Sequence, residues 1–283
     1  MESVDKNIKK EKQKEKLNKR IIEIDLLRGI VVLFMIFDHL MFDFAYLIPS
    51  LFTKGQIIGT WVEPLTQFGV NYWNWDVRIV FHYIFVFVFL VLAGVCCSFT
   101  KNNLIRSIKL IVVAYLFTLG TFIFAKITGS YNDIISFGIL HCIGFALLLI
   151  ALIELITKNK WVFLAIGLVF IGVGLFMEIQ YGDYMFYEEG NFFQLTIYQL
   201  CGYKTAGGDS FQLFLYGGQV FLGYFLGKLI YKDRKSIFKN SKYSNNPITF
   251  IGRHSLIVYI VHQIVLVGLI VVILLIAGFN LKL

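Results

Sequence analysis

Apolar residues along the chain fall into seven runs, at roughly 28–48, 79–99, 107–125, 134–156, 161–177, 211–231 and 255–278. Most are about twenty residues long, the length a helix needs to cross the hydrocarbon core of a bilayer. A backbone in hydrocarbon must satisfy its own hydrogen bonds, so each run predicts a helix. The fold class that follows is all-α: a polytopic transmembrane helix bundle of about seven spans. The fifth run is short and predicts a thin or shielded setting. The glycines of "YGGQVFLGYFLG" (Tyr216–Gly227) sit at the spacing of close helix–helix contacts. The three prolines, Pro49, Pro64 and Pro247, read as lying outside the runs. No internal repeat shows.

Composition agrees with a membrane protein. Of the 283 residues, 58% are hydrophobic, against about 45–50% in ordinary soluble domains. The net charge of +8 does not point to nucleic acid, because the basic residues gather at the ends of the runs. With the N-terminus cytoplasmic, 21 of the 26 Lys and Arg fall on the cytoplasmic side, the positive-inside pattern. That supports an odd number of spans, with the C-terminus outside. Residues 1–20 hold eight Lys/Arg and read as a basic cytoplasmic tail lying against anionic membrane lipid. Residues 21–283 read as one transmembrane domain. No small-residue cleavage site follows the first run, which therefore reads as an uncleaved signal anchor of a multi-pass cell-membrane protein. Cys96, Cys97 and Cys142 lie in apolar runs and Cys201 in a loop, with no metal-ligand spacing, so no metal site is expected.

Two outer segments are long. Residues 49–78 carry Trp61, Tyr72, Trp73 and Trp75, read as interfacial anchors or as a platform for a sugar. Residues 178–210 carry Glu178, Asp183, Glu188, Glu189 and Asp209 against one lysine.

Ionisable residues in mid-membrane carry the functional signal, because each costs at least about 2.5–3.5 kcal/mol to insert. They are Asp38, His39 and Asp43 in the first run, His82 in the second, His141 in the fourth and His262 in the seventh. Arg28 and His39 are eleven residues apart and share a helix face. His39 and Asp43 form an i,i+4 pair, and Asp25 and Arg28 an i,i+3 pair. The first helix thus carries a polar stripe from its cytoplasmic mouth to beyond its middle. A histidine beside a carboxylate suits a general base, and an arginine at the entrance suits a phosphate. A phosphorylated donor entering from the cytoplasm fits both. A structural His–Asp pair inside the bundle is the plainer alternative.

Three segments resemble a known family. "EIDLLRGIVVLFMIFDH" (Glu23–His39) is similar to the D-x-x-R-G opening of the heparan-alpha-glucosaminide N-acetyltransferase catalytic-domain family. "FGILHCIGFALLL" (Phe137–Leu149) is similar to its F-G-I-L-x-x-I-G stretch, and "IGRHSLIVYIVHQ" (Ile251–Gln263) to its closing G-x-x-S-L-x-x-Y-x-x-H segment. The closing motif also occurs in other membrane acyltransferases. The resemblance implies a membrane acetyltransferase that takes acetyl from cytoplasmic acetyl-CoA, its co-substrate, to a sugar or glycan acceptor on the far side. His39 stands where the family places a His or Asn. The lysosomal member also uses a histidine from the loop after this helix. Residues 49–78 contain none, and His82 is the nearest substitute. The lysosomal enzyme has more helices and a lumenal domain, so this chain looks like a compact bacterial member, for which the resemblance allows a homodimer.

The mechanism implied places Arg28, Arg253 and Arg106 on the phosphates of coenzyme A. His39, oriented by Asp38 or Asp43, removes the acceptor proton. His82, His141 or His262 with Gln263 stabilises the thioester oxyanion. Acetyl transfer proceeds directly or through an acetyl-histidine. A proton-coupled transporter using the buried His and Asp residues is the rival reading, although no two matching halves with broken helices appear. A non-catalytic scaffold or sensor with the basic tail as its arm is a third.

Overall fold

The computed structural model describes residues 20–128, 134–181, 192–201, 203, 209–233, 235–237 and 246–282. The basic tail through residue 19, and Asp183, Glu188, Glu189 and Lys204 of the second outer segment, lie outside the described residues. Ten helices are named here: α1 Ile22–Leu51, α2 Val62–Trp73, α3 Asp76–Ser98, α4 Asn103–Thr128, α5 Ile139–Ile156, α6 Lys160–Tyr181, α7 Phe192–Leu200, α8 Leu213–Ile230, α9 Pro247–Arg253 and α10 Ser255–Ile276. Seven of them (α1, α3, α4, α5, α6, α8 and α10) are long and apolar enough to cross a membrane. No strand occurs among the described residues; Phe137 and Ser210 form one isolated bridge. Large apolar side chains such as Val80, Ile84, Val169, Phe176, Ile264 and Val272 point outward, the pattern of a bundle whose solvent is lipid.

The helix ends correct the sequence reading in three places. The fifth span is not short: α6 runs 22 residues, because the helix continues through Glu178 to Tyr181, beyond the last purely apolar position. The fourth span starts at Ile139 rather than 134, because Phe137 is held in extended pairing, its carbonyl accepting from Phe211 N at 3.2 Å. Pro49 lies inside the first span. A widened π-turn over Asp43–Leu47 precedes it, which gives room for a ring that would otherwise press on the carbonyl four residues back.

The chain divides into two compact units, each described by itself. One comprises Met1–Val88 with Lys235–Leu283, the other Phe89–Arg234. In the first, α9 lies across α1. Gly29 faces the Ile248 carbonyl and Gly252 faces the Asp25 carbonyl, so closely that a Cβ at either would collide with backbone. Beyond the π-turn, Ile48, Phe52, Ile57 and Val62 form a buried cluster with Ile270, Leu274 and Phe279 at the end of α10.

In the second unit the glycines of α8 play the packing role expected of them. Gly223 lies against Val91 of α3, Gly218 against Gly167 and Ile171 of α6, and Gly227 against Ser98. A polar tie joins three helix ends: Glu154 of α5 accepts from Asn103 Nδ2 at 2.8 Å and from the Tyr224 hydroxyl. Among the described residues no cysteine forms a disulfide.

Candidate functional site

The stripe expected on α1 faces α10 within the first unit. At one end, an Arg28 Nη donates to the Ser255 hydroxyl. Farther along, the rings of His39 and His262 meet edge to face, centroids 4.9 Å apart. Farther still, Gln263 Nε2 donates to Asp43 Oδ1 at 2.8 Å. The partners advance in the same direction along both helices. α1 and α10 therefore run parallel here, as expected of a first and a seventh span.

The two histidines have matching chemistry. His39 Nδ1 lies 2.9 Å from the Met35 carbonyl and His262 Nδ1 lies 2.6 Å from the Tyr259 carbonyl. A carbonyl only accepts, so in the neutral rings Nδ1 carries the hydrogen and Nε2 the lone pair. His262 Nε2 is buried with no hydrogen-bond partner among the described residues. The expected orientation of His39 by a carboxylate is corrected: a backbone carbonyl one turn back holds it, and both carboxylates point elsewhere.

Asp38 is 4% exposed and sits in a donor cluster. Arg78 grips it with both arms of its fork, Nε to Oδ1 at 2.9 Å and an Nη to Oδ2 at 2.6 Å. The Tyr72 hydroxyl donates to Oδ1 at 3.0 Å. His82 Nδ1 stands 3.5 Å from Oδ2, and its side chain remains 38% exposed. The Arg78 guanidinium also stacks on Trp73, 3.6 Å from the ring centroid. Burial, and then the Asp38 charge, push the Tyr72 phenol up to about 12, so it remains a donor through the neutral range. Trp73 thus serves as the face under an arginine and as a neighbour of Phe42 and Tyr46, while Trp61 and Trp75 are exposed.

At the opposite end of α1, Arg20 pairs with Asp25 at 3.6 Å, and Arg28 and Arg253 also act electrostatically on that carboxylate. Arg253 Nε is buried with no hydrogen-bond partner among the described residues. Buried Glu23 accepts from the Ser236 hydroxyl and from Ile237 N at 2.8 Å.

Arg106 and His141 belong to the second unit. Arg106 donates to the Thr100 hydroxyl at 2.9 Å. His141 is 1% exposed and both its nitrogens are engaged. Nδ1 accepts from Gly138 N at 3.2 Å, capping α5, and Nε2 lies 3.2 Å from the Thr118 hydroxyl, which donates to the Ile135 carbonyl at 2.7 Å. The ring packs against Tyr115 and Phe137. These contacts make His141 a cap.

Sequence reasoning missed Arg78, Tyr72, Ser255 and Glu23. By the charge pattern alone Arg78 is one of the five basic residues left on the outer side. The available signal was its position: an arginine at the start of the second span, with an aspartate in the first that needs a counter-charge. Among the described residues, no cluster of His, Cys, Asp and Glu has the makings of a metal site.

The comparisons with known proteins bear on this site. The sequence profile of the family described as "Heparan-alpha-glucosaminide N-acetyltransferase, catalytic" matches residues 57–264, well over half of the chain. The match takes in Arg78, His82, Arg253, His262 and Gln263 and begins after the polar stripe of α1. Neither the curated proteins nor the solved structures gave a match.

Proposed function

We propose the following function on the premise, carried by the match over residues 57–264, that the chain belongs to the heparan-alpha-glucosaminide N-acetyltransferase catalytic family. Membership implies a membrane acetyltransferase. The finer reading is that it transfers acetyl from cytoplasmic acetyl-CoA to a sugar or glycan acceptor on the outer side of the cell membrane, with its N-terminus cytoplasmic. The observation that supports it best is the polar seam between α1 and α10, which leads from arginines at one end to histidines with free Nε2 lone pairs farther in.

Arg28 and Arg253, with Arg20 beside Asp25, bind the phosphates of coenzyme A. The pantetheine arm follows the seam and brings the thioester to His39. His39 Nε2 takes the proton of the acceptor amine or hydroxyl as the new acyl bond forms. The C–S bond breaks, coenzyme A leaves as thiolate, and that thiolate receives the proton. The oxyanion that develops lies beside His262, whose Nε2 must take up a proton before it can donate to it. Only residues of the first unit are assigned; Arg106 and His141 are left to their bonds within the second.

A second reading has its own observation. His82 is the histidine that a carboxylate faces, and it is partly open to solvent. An Asp38–His82 dyad would be the base, with Arg78 and Tyr72 fixing Asp38.

Calorimetry of acetyl-CoA with the purified chain tests the donor. Specific binding that weakens at least tenfold in Arg28→Ala is expected; a well-folded wild type that binds none sinks the donor assignment and favours proton-coupled transport. Acetyl transfer by His39→Ala and His82→Ala then separates the two bases. The true base loses about a hundredfold or more in rate, and a wild-type rate in either variant removes that histidine.

A further inference from the structure

Among the described residues, one buried carboxylate oxygen has no hydrogen-bond partner, and it belongs to Asp43. Glu23 accepts from Ser236 and Ile237, Asp38 from both arms of Arg78 and from Tyr72, and Glu154 from Asn103 and Tyr224. Asp43 is 0% exposed and has one donor, Gln263 Nε2 on Oδ1, while Oδ2 has no partner among the described residues. The far atom of the same amide, Gln263 Oε1, is likewise buried without a partner. Turning the amide over does not help, since it would set its carbonyl oxygen against a carboxylate oxygen.

The two groups are planar forks joined by one prong. Each keeps a second prong that only accepts, in a region where an unsatisfied polar atom is costly, and more so if charged. One proton satisfies both. We propose that Asp43 and Gln263 form a proton-binding site, in which Asp43 Oδ2 carries a proton and donates it to Gln263 Oε1, closing a two-bond carboxylic acid–amide pair between α1 and α10.

No neighbouring titratable group is placed to take that role. On α1 the titratable neighbours are His39, turned to Met35, and Asp38, held by Arg78. α10 offers His262, whose Nε2 is a third buried acceptor. Helix α2 packs Gly69 against Met41 and Ala45; its Glu63 is bonded to Gly59 N, and its Tyr72 donates to Asp38. No Lys or Arg supplies Asp43 with an ion pair among the described residues. His262 adjoins Gln263 in sequence, so the seam holds an exchangeable proton beside an imidazole able to accept one. The site does not depend on the acyl donor.

Infrared spectroscopy of the purified full-length chain in detergent at neutral pH tests it. The wild type should show the carbonyl stretch of a protonated carboxyl group, shifted on transfer to heavy water and lost in Asp43→Asn. Asparagine supplies the missing donor as an N–H, so this variant keeps both bonds and should fold. Superimposable wild-type and Asp43→Asn spectra in that region overturn the proposal. Gln263→Leu gives the second arm: it removes both of the amide's bonds, so the same band should move. A band that stays in place refutes the pairing.

Discussion

Arg78→Gln puts the Asp38 cluster to its hardest test. The substitution leaves Asp38 ionised, 4% exposed and without its bidentate partner. Removing one member of a buried ion pair costs about 3–5 kcal/mol, because the charge left behind has lost both water and counter-ion. Tyr72 still donates and His82 still stands near, so the lower end applies, about 3 kcal/mol. That is roughly a hundredfold in the unfolding equilibrium. Arg78→Lys keeps the charge but loses the fork and the Trp73 face, and should cost about 1–2 kcal/mol. Asp38→Asn combined with Arg78→Gln removes both charges and leaves two amides. It should be about 2 kcal/mol better than the sum of the single changes. Unfolding in mixed detergent micelles, followed by tryptophan fluorescence and helical dichroism, gives these differences. If Arg78→Gln falls within about 0.5 kcal/mol of wild type, the change ordinary at surface sites, or if the double variant merely adds, Asp38 is not held by Arg78.

Further outcomes follow from other contacts. Tyr72→Phe removes a hydrogen bond to a charged group and should cost about 1.5–3 kcal/mol in the same unfolding assay. Because the folded state raises the Tyr72 phenol from 10 to about 12, its contribution is complete below pH 10 and is lost as pH rises towards about 12; Tyr72→Phe should lack that loss. Gly29→Ala drives a Cβ into the Ile248 carbonyl and should destabilise by about 1–3 kcal/mol or more, whereas Gly268→Ala, with open space around it, should be near neutral. His141→Ala removes the cap on Gly138 N and should cost about 0.5–2 kcal/mol; unchanged unfolding would show that the cap contributes nothing.

Which parts of this were readable beforehand follows from the physics of each signal. The seven spans were legible because insertion in lipid demands an apolar run wherever a helix crosses, and that demand is local. Helix ends were less so. Glu178 looked like a stop for the fifth span, yet a charged side chain at a helix end reaches the interface without ending the helix. Phe137 looked like part of the fourth span, but its pairing partner lies near residue 210. Within the site, the eleven-residue spacing from Arg28 to His39 did mark one face, and α10 does cover it. Asp38 and His39 are sequence neighbours, yet successive residues point about 100° apart round a helix. One therefore meets Arg78 and the other His262. Nothing in the local sequence names those partners, since each pairing depends on which helices come to rest together.

The parallel seam of α1 and α10 sets a timetable for biogenesis. α1 enters the bilayer first, carrying Asp38, His39 and Asp43. Asp38 meets its counter-ion soon, since Arg78 follows 40 residues later, roughly two to eight seconds at ordinary translation speeds. Asp43 must wait for Gln263, 220 residues on, roughly ten to forty seconds. During that interval Asp43 lacks the one donor that the finished fold gives it. Closing the seam is therefore a late step, which waits for the last span to arrive.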